Sequence, residues 1–189
     1  MESQVQSPKL LQEIFQWVLA VAVAVALAFA IRAFIFEPVL VEGHSMDTTL
    51  NDGQRLFEYK LGYKFSTPQR GDIVVLQVQE GNFKYIPIPD PSEVDYIKRV
   101  IGLPGDEIDI RDGAVYVNGT KLDEPYANGI TEKLGMKLPD TVPEGKLFVL
   151  GDNRQRSSDS RMIGYIDIAK IRGKAVFRIW PLKDFGRIY

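Results

Sequence analysis

Few side chains in this sequence can do covalent chemistry, and the shortage is informative. The chain has no cysteine and a single histidine, His44, which stands directly before Ser45. Thiolate catalysis, disulfides and Cys-type zinc sites are therefore excluded together. Neighbouring residues of an extended chain point to opposite sides, so His44 is badly placed to deprotonate Ser45, and a Ser-His-Asp triad has no other histidine to use. One histidine also defeats His-rich metal sites and the H-E-x-x-H helix. Neither S-x-x-K nor K-T-G occurs, and neither common glycine-rich phosphate loop is present.

Serine with lysine remains. A lysine buried in apolar surroundings loses several units of pKa and can act as a base near neutral pH. On a strand over 94–101, Lys98 shares a face with Tyr96 and Val100 while Arg99 turns to the other. A strand lysine more commonly extends its amine to solvent from an edge, and this spacing alone does not decide between the two.

The elements that would position these residues fall into two unlike parts. From Ile14 to Ile31 only Gln16 interrupts an apolar run, and apolar character resumes after Arg32 through Phe36. A helix of about 20 such residues spans a hydrocarbon core of about 30 Å, and a lone strand there would leave its backbone unpaired. A membrane helix over 14–36 is expected after a short tail, 1–13. Ala28-Phe29-Ala30 offers an A-x-A cleavage site, but the apolar run exceeds an ordinary signal-peptide core, so an uncleaved anchor is the better reading. Lys9 and Arg32 flank the run and leave its orientation open.

Beyond Pro38 the apolar runs are short and cut by Gly, Pro, Asn and Asp. Strands are expected at 39–42, 55–59, 73–79, 94–101, 108–111, 114–118, 147–150 and 173–180. Asp112-Gly113 and Asn118-Gly119 read as hairpin turns, and 80–93 and 123–144 read as loops. Residues 37–189 are thus expected to form a mostly β, antiparallel and barrel-like catalytic domain behind one N-terminal transmembrane helix. The formal net charge of -2 and the lack of any Lys/Arg block argue against a nucleic-acid partner.

Four blocks in order sharpen the reading. Residues 43–50 (GHSMDTTL), 70–75 (RGDIVV), 98–106 (KRVIGLPGD) and 151–161 (GDNRQRSSDSR) resemble the conserved boxes of bacterial type I signal peptidases. The lysine box and the last box match K-R-x-x-G-x-P-G-D and G-D-N-R-x-x-S-x-D-S-R throughout. The resemblance implies Ser45 as nucleophile, Lys98 as its base, and Ser157 as the hydroxyl that orients the amine. It implies Asp159 as an ion-pair partner of Arg99 and Arg161, a scaffold behind Ser157, and residues 151–154 as the turn behind the site. The Ser45 N–H becomes an oxyanion donor, with a backbone group near Gly43 as a second candidate, because Gly43 stands where some relatives carry a helping serine. Val39, Val41, Asp95, Tyr96 and Ile97 match the edges and pockets that hold an extended substrate, although such residues are equally plain β core.

The implied activity is removal of A-x-A-type signal peptides from exported preproteins, without metal or cofactor, at the outer face of the bacterial cytoplasmic membrane. The implied partners are those preproteins and the lipid bilayer. One departure stands out: Thr48 replaces the usual proline of the nucleophile box, which removes a fixed φ beside Ser45 but no reactive group. Two rivals are weighed against this reading. A Ser/Lys self-cleaving repressor would need a DNA-binding helical domain where this chain has an apolar anchor. A catalytically silent, membrane-tethered peptide binder would keep the fold without turnover.

Overall fold

The computed structural model describes residues 7–79 and 93–189. The loop expected over 80–93 lies outside them except for its last residue, as do residues 1–6 of the expected tail. Helix α1 (Ser7–Phe34) has 28 residues, and none of its apolar window Leu10–Arg32 is buried. At about 1.5 Å per residue it is about 42 Å long. It starts earlier than the expected 14, taking in part of the tail, and stops short of 36. Pro8 suits a first turn, where no N–H is needed for the ladder. At the other end Pro38 biases Glu37 towards extended backbone, and Phe36 pairs with Tyr59, so the chain passes into β1 (Phe36–Leu40) after one residue.

The remaining strands are β2 (Arg55–Tyr59), β3 (Ile73–Gln79), β4 (Glu93–Gly102), β5 (Glu107–Arg111), β6 (Ala114–Val117), β7 (Thr120–Lys121), β8 (Asp140–Thr141), β9 (Lys146–Leu150), β10 (Ile166–Asp167), β11 (Ile171–Trp180) and β12 (Gly186–Arg187). All the expected strands form, the first of them shifted from 39–42 to 36–40. β7, β8, β10 and β12 were not expected, because two residues carry no readable period, and β8 lies inside the stretch read as a loop over 123–144. Two one-turn helices, α2 (Gly62–Phe65) and α3 (Ser160–Ile163), are equally short.

The named strands pair antiparallel in two sheets. The larger runs β1-β2-β11-β3-β4-β9-β10 with β12 beside β11, and the smaller runs β7-β6-β5-β8. Both hairpin turns form as expected: φ is 51° and 74° at Asp112 and Gly113, and 51° and 77° at Asn118 and Gly119, the left-handed pair that a type I′ turn requires.

Alternation along the strands sorts the apolar side chains into three cores. Val41, Met46, Leu56, Ile73, Val75 and Ile97 fill the concave side of the large sheet, and Val74, Leu76, Val100, Leu147 and Val149 pack on its other side. Ile101, Ile108, Val115, Phe148 and Leu150 join the small sheet to the large one. The large sheet curls, so that β1 and the first half of β4 become the two walls of one groove. Among the described residues, β1 pairs only with β2, and residues 93–98 of β4 pair only with β3. Within the described ladders, each wall is thus the last strand on its side of the groove.

Candidate active site

Ser45 follows β1 in a turn, and Lys98 lies on β4 opposite Val74 of β3. The turn is fastened by apolar anchors on both sides, Met46 and Leu50, which are buried, and by a 2.9 Å bond from the Leu50 N–H to the Met46 carbonyl. Thr49 Oγ1 donates to Asp152 Oδ2 at 2.5 Å, while Thr48, the departure from the resemblance, is exposed and carries none of these contacts. The backbone of the turn is gripped from behind. Asn153 donates its N–H to the Ser45 carbonyl at 3.1 Å and its Nδ2 to the His44 carbonyl at 3.0 Å.

This places Ser45 Oγ 2.9 Å from Lys98 Nζ. Lys98 is 3% exposed, its amine also bonds the Ile97 carbonyl at 3.1 Å, and it lies 4.8 Å from the centre of the Tyr96 ring. Burial lowers its pKa to about 8, while the more distant carboxylates of Asp159 and Asp152 pull the other way. An amine with that pKa is neutral in part at physiological pH and can accept the serine proton. His44 is engaged elsewhere: its Nδ1 sits 3.1 Å from Asp47 Oδ2 on the exposed side.

Ser157 differs from expectation. It is buried, but its Oγ has no hydrogen-bond partner among the described residues, so the expected bond to the lysine amine is not formed in this structure. Its hydroxyl nevertheless lies on the site side of the loop, because a Cβ on Gly151 would overlap both Ser157 Oγ and the Ser45 carbonyl. That double approach is the reason for glycine at 151. The oxyanion candidates also separate. The Ser45 N–H makes no hydrogen bond among the described residues. The Gly43 N–H is taken by Asp52 Oδ1 at 2.8 Å, leaving it closed to a substrate oxygen here.

The ion pairs behind the site need one correction. Arg161 holds Asp159 in a two-pronged contact, with both bonds at 2.8 Å, as expected. Arg99 does not reach Asp159. It forks onto Asp152 instead, at 2.8 and 2.7 Å, and stacks on the Tyr126 ring. The reason is register: Arg99 lies opposite Leu150, and the chain turns directly after it, which carries Asp152 to the guanidinium. Asp159 is already saturated by Arg161, by the Gly151 N–H at 3.1 Å and by its role as cap of α3. A third buried pair, Arg154 with Glu124, had no sequence signal, since Glu124 sits in a stretch without periodicity.

The groove beside the dyad measures about 630 Å³. Val39, Val41, Asp95, Tyr96 and Ile97 all line it, together with Ser45 and Lys98. Val39, Val41 and Ile97 belong to the concave core, so its floor next to the serine is apolar.

Residues 14–180 match the family described as signal peptidase, peptidase S26. Signal peptidase I of Bacillus licheniformis is 46% identical over 183 residues, with 92% of each chain covered. Signal peptidase IB of Staphylococcus aureus (strain COL) is 38% identical over 190 residues, covering 92% of this chain and 93% of its own. A crystal structure of a signal peptidase I from Enterococcus faecalis V583 is 34% identical with a TM-score of 0.44, covering 58% of this chain and 97% of that one.

Proposed function

The chain belongs to the S26 family of serine-type signal peptidases, and from that premise we propose that it cleaves signal peptides from exported preproteins with Ser45 as nucleophile and Lys98 as general base. The observation that carries this reading is the 2.9 Å contact between Ser45 Oγ and a lysine amine that is buried away from any carboxylate contact.

The substrate enters as a strand between β1 and residues 95–98 of β4, adding to the two walls of the groove. Its alternate side chains fall on Val39, Val41 and Ile97, where the shallow apolar floor suits alanine and excludes bulk. Ser45 Oγ attacks the scissile carbonyl as Lys98 takes its proton, and the Ser45 N–H donates to the oxyanion. The lysine ammonium then protonates the departing amine, releasing the mature protein. Water attacks the acyl-enzyme with Lys98 again as base, returning the serine and freeing the signal peptide. Ser157 supplies an acceptor for one N–H of the neutral amine, so that its lone pair faces Ser45. The scheme needs no metal or cofactor. In the same reading α1 spans the bacterial cytoplasmic membrane, residues 37–189 form the peptidase domain on its outer side, and Asp159 and Arg161, with Arg99, hold the loop that carries Ser157.

The test is turnover of one preprotein by the full-length chain in lipid vesicles, with the mature N-terminus sequenced. Cleavage directly after an A-x-A site, lost in a folded Ser45→Ala protein, is expected. Binding without turnover would overturn the peptidase reading, and full activity of Ser45→Ala would overturn the nucleophile.

A further inference from the structure

The apolar floor of the groove ends in a rung of charge. Strand side chains alternate, so Glu37, Val39 and Val41 face one way on the first wall, as do Asp95 and Ile97 on the second. Two residues beyond Val39 and Ile97, moving away from Ser45, the same face carries Glu37 and Asp95. Arg172 of β11 joins them across the groove: Nη2 is 3.2 Å from Glu37 Oε2, and Nη1 bonds Asp95 Oδ2. Lys60 Nζ is 2.5 Å from the same Glu37 oxygen. Glu37, Asp95 and Arg172 line the groove that holds Ser45 and Lys98, and their side chains are 36%, 34% and 31% exposed.

Beneath the rung lies Glu58, directly opposite Glu37 in the register of β1 and β2. It is fully buried, neither carboxylate oxygen has a hydrogen bond among the described residues, and Arg172 Nη2 stands 3.9 Å away. Burial pushes its carboxyl up to about 6 against the pull of Arg172, with Glu37 and Asp95 pushing the same way. Among the described residues three carboxylates (Glu37, Glu58, Asp95) are thus contacted by two cations (Arg172, Lys60), while Arg32 acts on Glu37 from farther off.

We propose that this rung is a subsite for a basic side chain of the substrate, five residues before the scissile bond. The inference rests on the peptidase reading above. With the first and third side chains before the scissile bond on the apolar floor, the fifth is the next to face the same way along an extended chain. A lysine or arginine there completes the ion network. A carboxylate meets Glu37 and Asp95, and an aliphatic side chain takes water from the ion pairs and replaces none of its bonds.

The test uses the full-length chain in detergent and four peptides that share one A-x-A site and differ only in the fifth residue before the scissile bond: Lys, Gln, Leu or Glu. The lysine peptide should exceed the glutamate peptide about fivefold in kcat/KM at low ionic strength, as a partly exposed pair allows, and added salt should shrink the margin. Gln should fall between them, with Leu no better than Gln. Within the Glu37→Gln protein, and separately within Asp95→Asn, the Lys-to-Glu ratio should fall towards one. A ratio taken inside one protein is insensitive to how much of it is folded. Equal rates on the four peptides, a preference for Leu, or a ratio unchanged in both variants overturns the subsite alone. No cleavage of any peptide overturns the peptidase reading and the subsite with it.

Discussion

Lys98 and Arg99 are adjacent, equally buried cations with opposite surroundings. Arg99 meets a carboxylate fork to fork, so its charge is matched where it sits, and the pair closes the chain turn after β9 onto β4. Lys98 touches a hydroxyl, a carbonyl and a ring, and no carboxylate among the described residues contacts it. Burial therefore acts on the two in different ways. With a partner it yields a fixed scaffold, and without one it yields an amine that gives up its proton near pH 8. The strand supplies both from neighbouring positions because successive side chains leave it on opposite sides.

The largest effect should come from making the first cation like the second. Lys98→Arg keeps charge and bulk but cannot become neutral, so kcat/KM should fall by at least about three orders of magnitude while the fold persists. An active Lys98→Arg enzyme would erase the distinction. Stability should show the reverse asymmetry. Asp152→Ala strands the Arg99 guanidinium and should cost about 3–5 kcal/mol in denaturant unfolding. Lys98→Met removes a buried amine that has no counter-ion and should be neutral or stabilising, so a comparable loss there would contradict the account.

The pH profile should be smaller and graded. The productive amine is neutral, and its fraction falls about tenfold per pH unit below the pKa. kcat/KM should thus rise to a plateau above about 8 and lie about a hundredfold lower at pH 6. A profile flat from pH 6 to 9 would remove Lys98 from the proton transfer. Ser157→Ala should reduce kcat about tenfold without moving that midpoint, since in the proposed scheme its hydroxyl turns the amine and does not titrate. A shifted midpoint would mean that the hydroxyl controls the charge of the lysine.

Local rules made much of this molecule legible. Alternation located the longer strands, and Asp112-Gly113 and Asn118-Gly119 announced their own turns. The lone His44 removed the competing chemistries, which left Ser45 and Lys98 as the pair to test. The partner of Arg99 was misread because a sequence block gives the residues of an ion cluster but not which carboxylate the turn after Leu150 delivers. Glu124, Glu58 and Arg172 gave no signal at all. Each is an ordinary charged residue in its own stretch of chain: Glu58 and Arg172 take on meaning only when β1, β2, β4 and β11 are brought side by side, and Glu124 only when the loop after β9 brings Arg154 to it.

A single residue, Ile35, separates α1 from β1. Its N–H bonds the Ile31 carbonyl at 2.8 Å, and its own carbonyl receives the Lys60 N–H at 3.0 Å. With α1 in a bilayer, that joint has no slack. In that arrangement the groove would begin near the lipid surface, with Ser45 at a height set by the few residues from Phe36 to Ser45. Enzyme and substrate would then meet by sliding within one plane, which replaces a search through volume. Among the bonds of a tethered chain, only one held at that altitude could be cut.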